Sequence, residues 1–180
     1  MKPTERNTRE QLIDAAQQVV LANGASSLTL EAVARTAGVS KGGLLYHFPN
    51  KEALITAMID TLCASFETGL AACMADEPDT AGRFTRAYLR ATTAPDNDTR
   101  AISSALFAAV ANDLALVAPF REHMARWQEQ IMDDGLDPAL ATAIRLAADG
   151  LWFAELGKFA SPGAELRQQI VDTLLALTKG

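Results

Sequence analysis

The chain has 180 residues, 49% of them apolar and only 6% aromatic, and carries a net charge of −6. It is long enough to bury a sizeable core, in one large domain or two small ones. The acidic balance argues against a generic nucleic-acid binder, no apolar run approaches the roughly 20 residues that span a bilayer, and the polar start MKPTERNTRE lacks a signal peptide's apolar core. The expected location is therefore the cytoplasm, with no membrane partner. Ala and Leu dominate, which favours helix. Cys63 and Cys73 lie ten residues apart on one predicted helix, about 15 Å of rise, too far to bridge. They read as buried small hydrophobes.

Leu12, Ile13, Ala16, Val19 and Val20 repeat at helical spacing, and Asn23-Gly24 ends that first helix. Thr29 is placed to cap a short second helix, LEAVARTA, with Val33, Ala34 and Ala37 inward and Gly38 stopping it. Ser40 caps a third, KGGLLYHF, which Pro49 ends because the residue before a proline avoids helical geometry. Asn50 opens a long fourth helix, with Leu54, Ile55, Met58, Ile59, Leu62, Phe66 and Leu70 as its apolar face, running to about Met74. Further helices are predicted near 80–93, 99–112, 117–134, 137–158 and 164–178, separated by APDND, DDGLDP and ASPG. Pro119 falls in the first turn of its helix, where a missing N–H matters least. Strand-like alternation and internal repeats are absent, so the expected fold is all-α with about nine helices: a three-helix head over residues 1–50 and a helical body over 51–180.

Charge is unevenly spread. Residues 1–51 carry six bases against four acids, a net +2, while the remainder carries ten bases against eighteen acids, a net −8. Within this basic head, residues 29–48 read as helix, tight turn, helix. Ala34 supplies the small residue where two helices touch, Gly38 the sharp turn, and Val33, Val39 and Leu44 the faces toward a supporting helix. A recognition helix leads into the major groove with its N-terminal residues. Gly42 and Gly43 stand at that place, although each Gly costs up to about 1 kcal/mol in a helix interior. Without side chains they let the backbone and its N–H groups approach DNA closely. Lys41 can donate to a guanine edge or a phosphate. Tyr46, His47 and Lys51 can hold phosphates, which fixes register. Lys2, Arg6 and Arg9 could extend a short basic arm.

The stretch LTLEAVARTAGVSKGGLLYHFPNKEALITAMID resembles the DNA-binding head of the TetR family of transcriptional repressors, whose pattern is roughly G-V-S-x-G-x-L-Y-x-H-F-x-x-K-E-x-L. Gly38, Val39, Ser40, Gly42, Leu44, His47, Phe48, Lys51, Glu52 and Leu54 match it. The family's tyrosine position holds Leu45, and Tyr46 follows. Tyr46 is the expected phosphate contact, with Leu45 against a thymine methyl. The resemblance covers residues 8–58 and implies a DNA-contact set of Thr29, Ser40, Lys41, Gly42, Gly43, Leu45, Tyr46, His47 and Lys51. It further implies a dimer, a double-stranded palindromic operator, and a small-molecule effector held between helices of the body.

For the body the sequence supplies candidates. The last two helices carry apolar stripes, from which Leu140, Ile144, Leu151, Leu166, Ile170 and Leu174 are taken as the dimer interface. Large side chains build apolar pockets, which nominates Phe66, Phe84, Tyr88, Phe107, Met124, Trp127, Trp152 and Phe153, with Trp127 and Trp152 leading. Arg86, His123 and Asp149 are the candidate polar groups. The acidic body is weak support for a cationic ligand. No nucleophile motif, phosphate loop or metal spacing is present, so neither catalysis nor a cofactor or metal is expected. The expected function is a ligand-responsive repressor released from its operator by a small molecule. The competing reading is a helical ligand-binding or protein-interaction module whose head no longer binds DNA specifically.

Overall fold

The computed structural model describes residues 7–94, 97–110 and 114–179. Among the described residues all regular structure is helical: α1 (Thr8–Asn23), α2 (Leu30–Ala37), α3 (Lys41–His47), α4 (Lys51–Asp76), α5 (Arg83–Thr93), α6 (Asn97–Val110), α7 (Ala118–Met132), α8 (Pro138–Gly157) and α9 (Ala164–Leu177). Single 3-10 turns occupy Ala25–Ser27 and Leu114–Val117. Lys2 and Arg6 of the expected basic arm lie outside the described residues. The third member, Arg9, belongs to α1 and stands 5.3 Å over the Phe48 ring.

The helices form two compact units. The first holds α1–α3, α4 as far as Leu62, and α6 with the turn after it. Here α1 packs on α2 and α6, and α2 on α3. Leu12, Val33, Leu44 and Leu54 from α1–α4, with Leu28 and Phe48 from the connections between them, are all but fully buried.

The second unit holds α4 from Cys63, α5, α7 from Arg121, α8 and α9. In it α5 packs on α8 and α9. The N-terminus of α5 has no cap of its own; Asp134 provides one from the α7–α8 turn. Its carboxylate accepts from Phe84 N at 2.9 Å and Thr85 N at 2.7 Å, and its carbonyl from Gly82 N at 2.8 Å. Two orphan helix donors are thus satisfied by a residue fifty positions away. Gly82 holds φ +83°, a conformation that favours glycine.

This core takes in part of the expected dimer interface. Leu89, Ile144 and Ala148 form its buried centre, with Leu140, Leu174 and Leu175 packed against them, and Leu151 is also buried. Ile144 and Leu151 are therefore buried within the chain itself, while Leu140 and Leu174 are half-buried against them. The outward apolar residues are Leu146, Phe153, Phe159, Leu166 and Leu177, each about half exposed, while Ile170 is half-buried. The reason is composition: α8 is apolar nearly all round, so its period marks a helix without saying which face turns inward.

By length and composition alone α4 could cross a bilayer. However, Asp60 and Glu67 interrupt it, and Leu54, Ile55, Met58, Ile59, Cys63 and Leu70 are buried within the fold. It is a core helix that runs on from the first unit into the second.

Candidate functional site

The head is built by local capping. The Thr29 hydroxyl accepts from Ala32 N at 3.1 Å and starts α2. Gly38 ends it at φ +69°, its N–H directed to the carbonyls of Ala34 and Arg35. Ser40 Oγ accepts from Gly43 N at 3.1 Å and starts α3; Asn50 Oδ1 accepts from Ala53 N at 2.8 Å and starts α4. Thr29 and Ser40 thus have structural work within the chain. α3 is anchored by Leu44, fully buried, and exposes Lys41, Gly42, Leu45 and Tyr46.

Gly42 has no internal reason to be glycine. A Cβ built there meets only Ser40 Oγ, at 4.0 Å; at Gly43 the same atom lies at 3.3 Å, a tighter fit. Around the bare backbone Leu45 is 38% and Tyr46 86% exposed. A phenol ring so exposed contributes nothing to the core of the free protein. His47 is half-buried and meets Tyr46 edge-on at 5.1 Å, and Lys51 is half-buried at the start of α4. Lys41 is not idle: its ammonium donates to Glu31 Oε1 at 2.6 Å. That hydrogen bond holds the Glu31 carboxyl below its ordinary range. Both side chains are exposed, and an ammonium so paired keeps two further N–H donors.

The second unit gathers half of the effector candidates around α4, α5, α7 and α8. Phe66 lies 4.6 Å from Trp127 and 5.4 Å from Tyr88, ring centre to ring centre, and Tyr88 lies 6.1 Å from Trp127. His123 closes on Trp127 at 5.6 Å. The Tyr88 hydroxyl donates to Asp149 Oδ1 at 2.8 Å and lies 3.9 Å from the Met124 sulfur. Arg145 Nη1 donates to Asp149 Oδ2 at 2.9 Å. Burial pushes the Asp149 carboxyl up, against the hydrogen bond from Tyr88 and the charge of Arg145. Burial and the neighbouring carboxylate push the Tyr88 phenol far up, so it stays a donor. Glu67 Oε1 meets His123 Nδ1 at 2.9 Å and Arg126 Nη2 at 3.6 Å.

Phe66, Tyr88, Met124 and Trp127 are thus brought together, with His123 and Asp149 as polar companions. Phe107 and Phe153 pack with other rings. Phe107 belongs to the first unit, where it meets Phe120 edge-on at 6.0 Å. Phe84 is buried at the capped start of α5. Trp152 is half-buried, and Phe153 is half exposed, stacked with Phe159 at 5.4 Å. Arg86 is a buried structural cation, holding Glu77 at 2.7 Å and the Ala81 carbonyl at 2.8 Å. It lines a separate cleft of about 930 Å³ beside Arg90, Leu140 and Leu175. The sequence reading missed Glu67, Arg126, Gln128 and Arg145; of these only Arg145 carries a local signal, its i,i+4 spacing to Asp149.

Comparison with known proteins fits this geometry. A family model described as "Bacterial regulatory proteins, tetR family" matches residues 12–58, and one described as "Tetracyclin repressor-like, C-terminal domain" matches residues 82–179. The chain is similar to the HTH-type transcriptional regulator TtgR of Pseudomonas putida, 38% identical over 61 residues, 34% of this chain and 29% of that protein. The similarity therefore spans less than a third of that relative's length. Among solved structures, the multidrug binding protein EbrR complexed with malachite green aligns with a TM-score of 0.68 and 26% identity, covering 98% of this chain and 99% of that one. A transcriptional regulator from a Rhodococcus species aligns with a TM-score of 0.74 and 21% identity over 96% of both chains, a likeness of fold.

Proposed function

The chain belongs to the tetR family of bacterial regulatory proteins, and from that premise we propose that it is a ligand-responsive, sequence-specific transcriptional regulator. Residues 1–50 bind one half of a palindromic operator, and residues 51–180 bind a small-molecule effector and dimerise. The protein acts in the cytoplasm as a repressor that the effector releases. The observation that carries this reading is the outer face of α3. It pairs a glycine that nothing inside the chain requires with an 86% exposed tyrosine.

One short helix reads too few bases for useful specificity, and two related by a dyad read a palindrome. Leu146 and Phe153 on α8 and Leu166 on α9 supply an apolar face for the second copy, and Ala139, Ala143, Ala147 and Gly150 on α8 are exposed as well. Such small residues let two helices approach closely, and one self-complementary patch suffices for a two-fold dimer. The relative described as a multidrug binding protein supports a small-molecule effector. An effector that prefers a dimer whose heads are off the one-turn spacing lowers DNA affinity by that difference, and α4 is the covalent path between the two. Sedimentation equilibrium of the purified chain, alone and with a duplex enriched from a random pool, tests the reading. A free dimer and two protomers per duplex are expected; a monomer that binds no duplex overturns it.

A further inference from the structure

We propose that the body takes a neutral aromatic ligand bearing hydrogen-bonding oxygens, a phenol or aryl ketone in class, rather than an organic cation or a carboxylate. This rests on the reading of the body as the effector-binding part. Three observations carry it. The first is the ring surface of Phe66, Tyr88 and Trp127, which suits a flat aromatic molecule. Phe66 and Met124, only half-buried, are the side chains placed to give way, and methionine repacks readily.

The second is charge. Each carboxylate at the rings already has its cation: Asp149 has Arg145 at 2.9 Å, and Glu67 has Arg126 at 3.6 Å with His123 beside it. Arg145 and Asp149 are largely buried, at 15% and 25% side-chain exposure. A cationic ligand seated on Asp149 would displace Arg145 and strand a buried guanidinium. A carboxylate seated on Arg145 would strand Asp149. Breaking a buried pair in this way is strongly unfavourable.

The third is unmet hydrogen bonding. Thr85 Oγ1 on α5, Gln128 Oε1 on α7 and Arg145 Nε on α8 are buried with no hydrogen-bond partner. Buried polar atoms are nearly always paired, by protein, water or ligand. Arg145 reaches the rings through Asp149, and Thr85 and Gln128 lie on the helices that carry Tyr88 and Trp127. Thr85 stands one turn before Tyr88, Gln128 adjoins Trp127 and donates to Thr142 at 2.8 Å, and Arg145 holds the partner of Tyr88. Gln128 Oε1 needs a donor, Arg145 Nε an acceptor, and Thr85 takes either. A phenolic oxygen offers both without a charge.

Three bicyclic probes of one shape test this by calorimetry on the full chain: 2-naphthol, 2-naphthoate and 2-naphthyltrimethylammonium. 2-Naphthol should bind at least about tenfold tighter than either ion. Gln128→Leu, checked as folded by circular dichroism, should weaken it at least about fivefold, and Thr85→Val should weaken it in the same direction. An ion that binds as tightly as 2-naphthol, or naphthol binding untouched by both substitutions, overturns the proposal while leaving an effector site standing. Failure of all three probes to bind overturns the effector-site reading itself and this proposal with it.

Discussion

Replacing Gly42 with alanine should make the protein more stable and a poorer DNA binder at once. Gly42 lies in the first turn of α3, and the added Cβ finds only Ser40 Oγ, 4.0 Å away. Alanine restricts the unfolded chain and favours helix, so the fold should gain about 0.5–1 kcal/mol, a rise of about 1–4 °C in Tm for a chain of this size. If α3 meets DNA through the proposed close approach at Gly42, the same methyl pushes it outward. Losing about 1.4 kcal/mol per protomer is roughly tenfold per half-site and a hundredfold per dimer. Thermal denaturation and fluorescence anisotropy on one labelled operator, at one salt concentration, read the two effects separately. Gly43→Ala is the comparison: its Cβ crowds Ser40 Oγ at 3.3 Å, so its gain in stability should be smaller. A Gly42→Ala protein that is more stable and binds DNA unchanged refutes the close-approach argument.

Lys41→Met removes two phosphate-seeking cations from a dimer and should make the slope of log K against log salt shallower by about 1.8; an unchanged slope would mean that Lys41 stays with Glu31 on DNA. Asp134→Ala uncaps α5 and should cost about 1–2 kcal/mol, seen as a lower Tm, whereas no loss would show that water caps the helix equally well. Leu146→Glu should yield a folded monomer in sedimentation, while Ile144→Ala should lower Tm by the loss of a buried side chain, about 2–5 kcal/mol; the reverse pattern would restore the interface expected from the sequence. Glu77 is pushed up by burial, but hydrogen bonds from Arg90 and Arg86 outweigh this and leave its carboxyl below the ordinary range. A lowered carboxyl adds stability above its unfolded pKa, lost as pH falls through the folded one. Glu77→Gln should therefore flatten the acid side of the Tm–pH profile, and an unaltered acid side would remove Glu77 as its source.

The head was legible because each of its parts has a local cause. Thr29, Gly38, Ser40 and Asn50 act within three or four residues of themselves, so their positions mark helix ends directly in the sequence. The body was legible as helices but not as faces. Ile144 and Leu146 stand two residues apart on α8, one buried and one 56% exposed, and nothing local separates them. Asp134 read as a loop residue because the donors it satisfies lie fifty positions back. Among the effector candidates, side-chain size nominated Phe84 and Phe107 alongside Phe66, since size reports burial and not which helices meet. The Tyr88–Asp149–Arg145 chain needed the packing of α5 on α8 to appear.

The most direct test of DNA recognition is selection of bound duplexes from a random pool at roughly physiological salt. The account predicts recovery of a palindrome whose half-site centres lie about one helical turn apart. A pool that returns with no enriched sequence would contradict it, and the exposed face of α3 would then lack the role assigned to it.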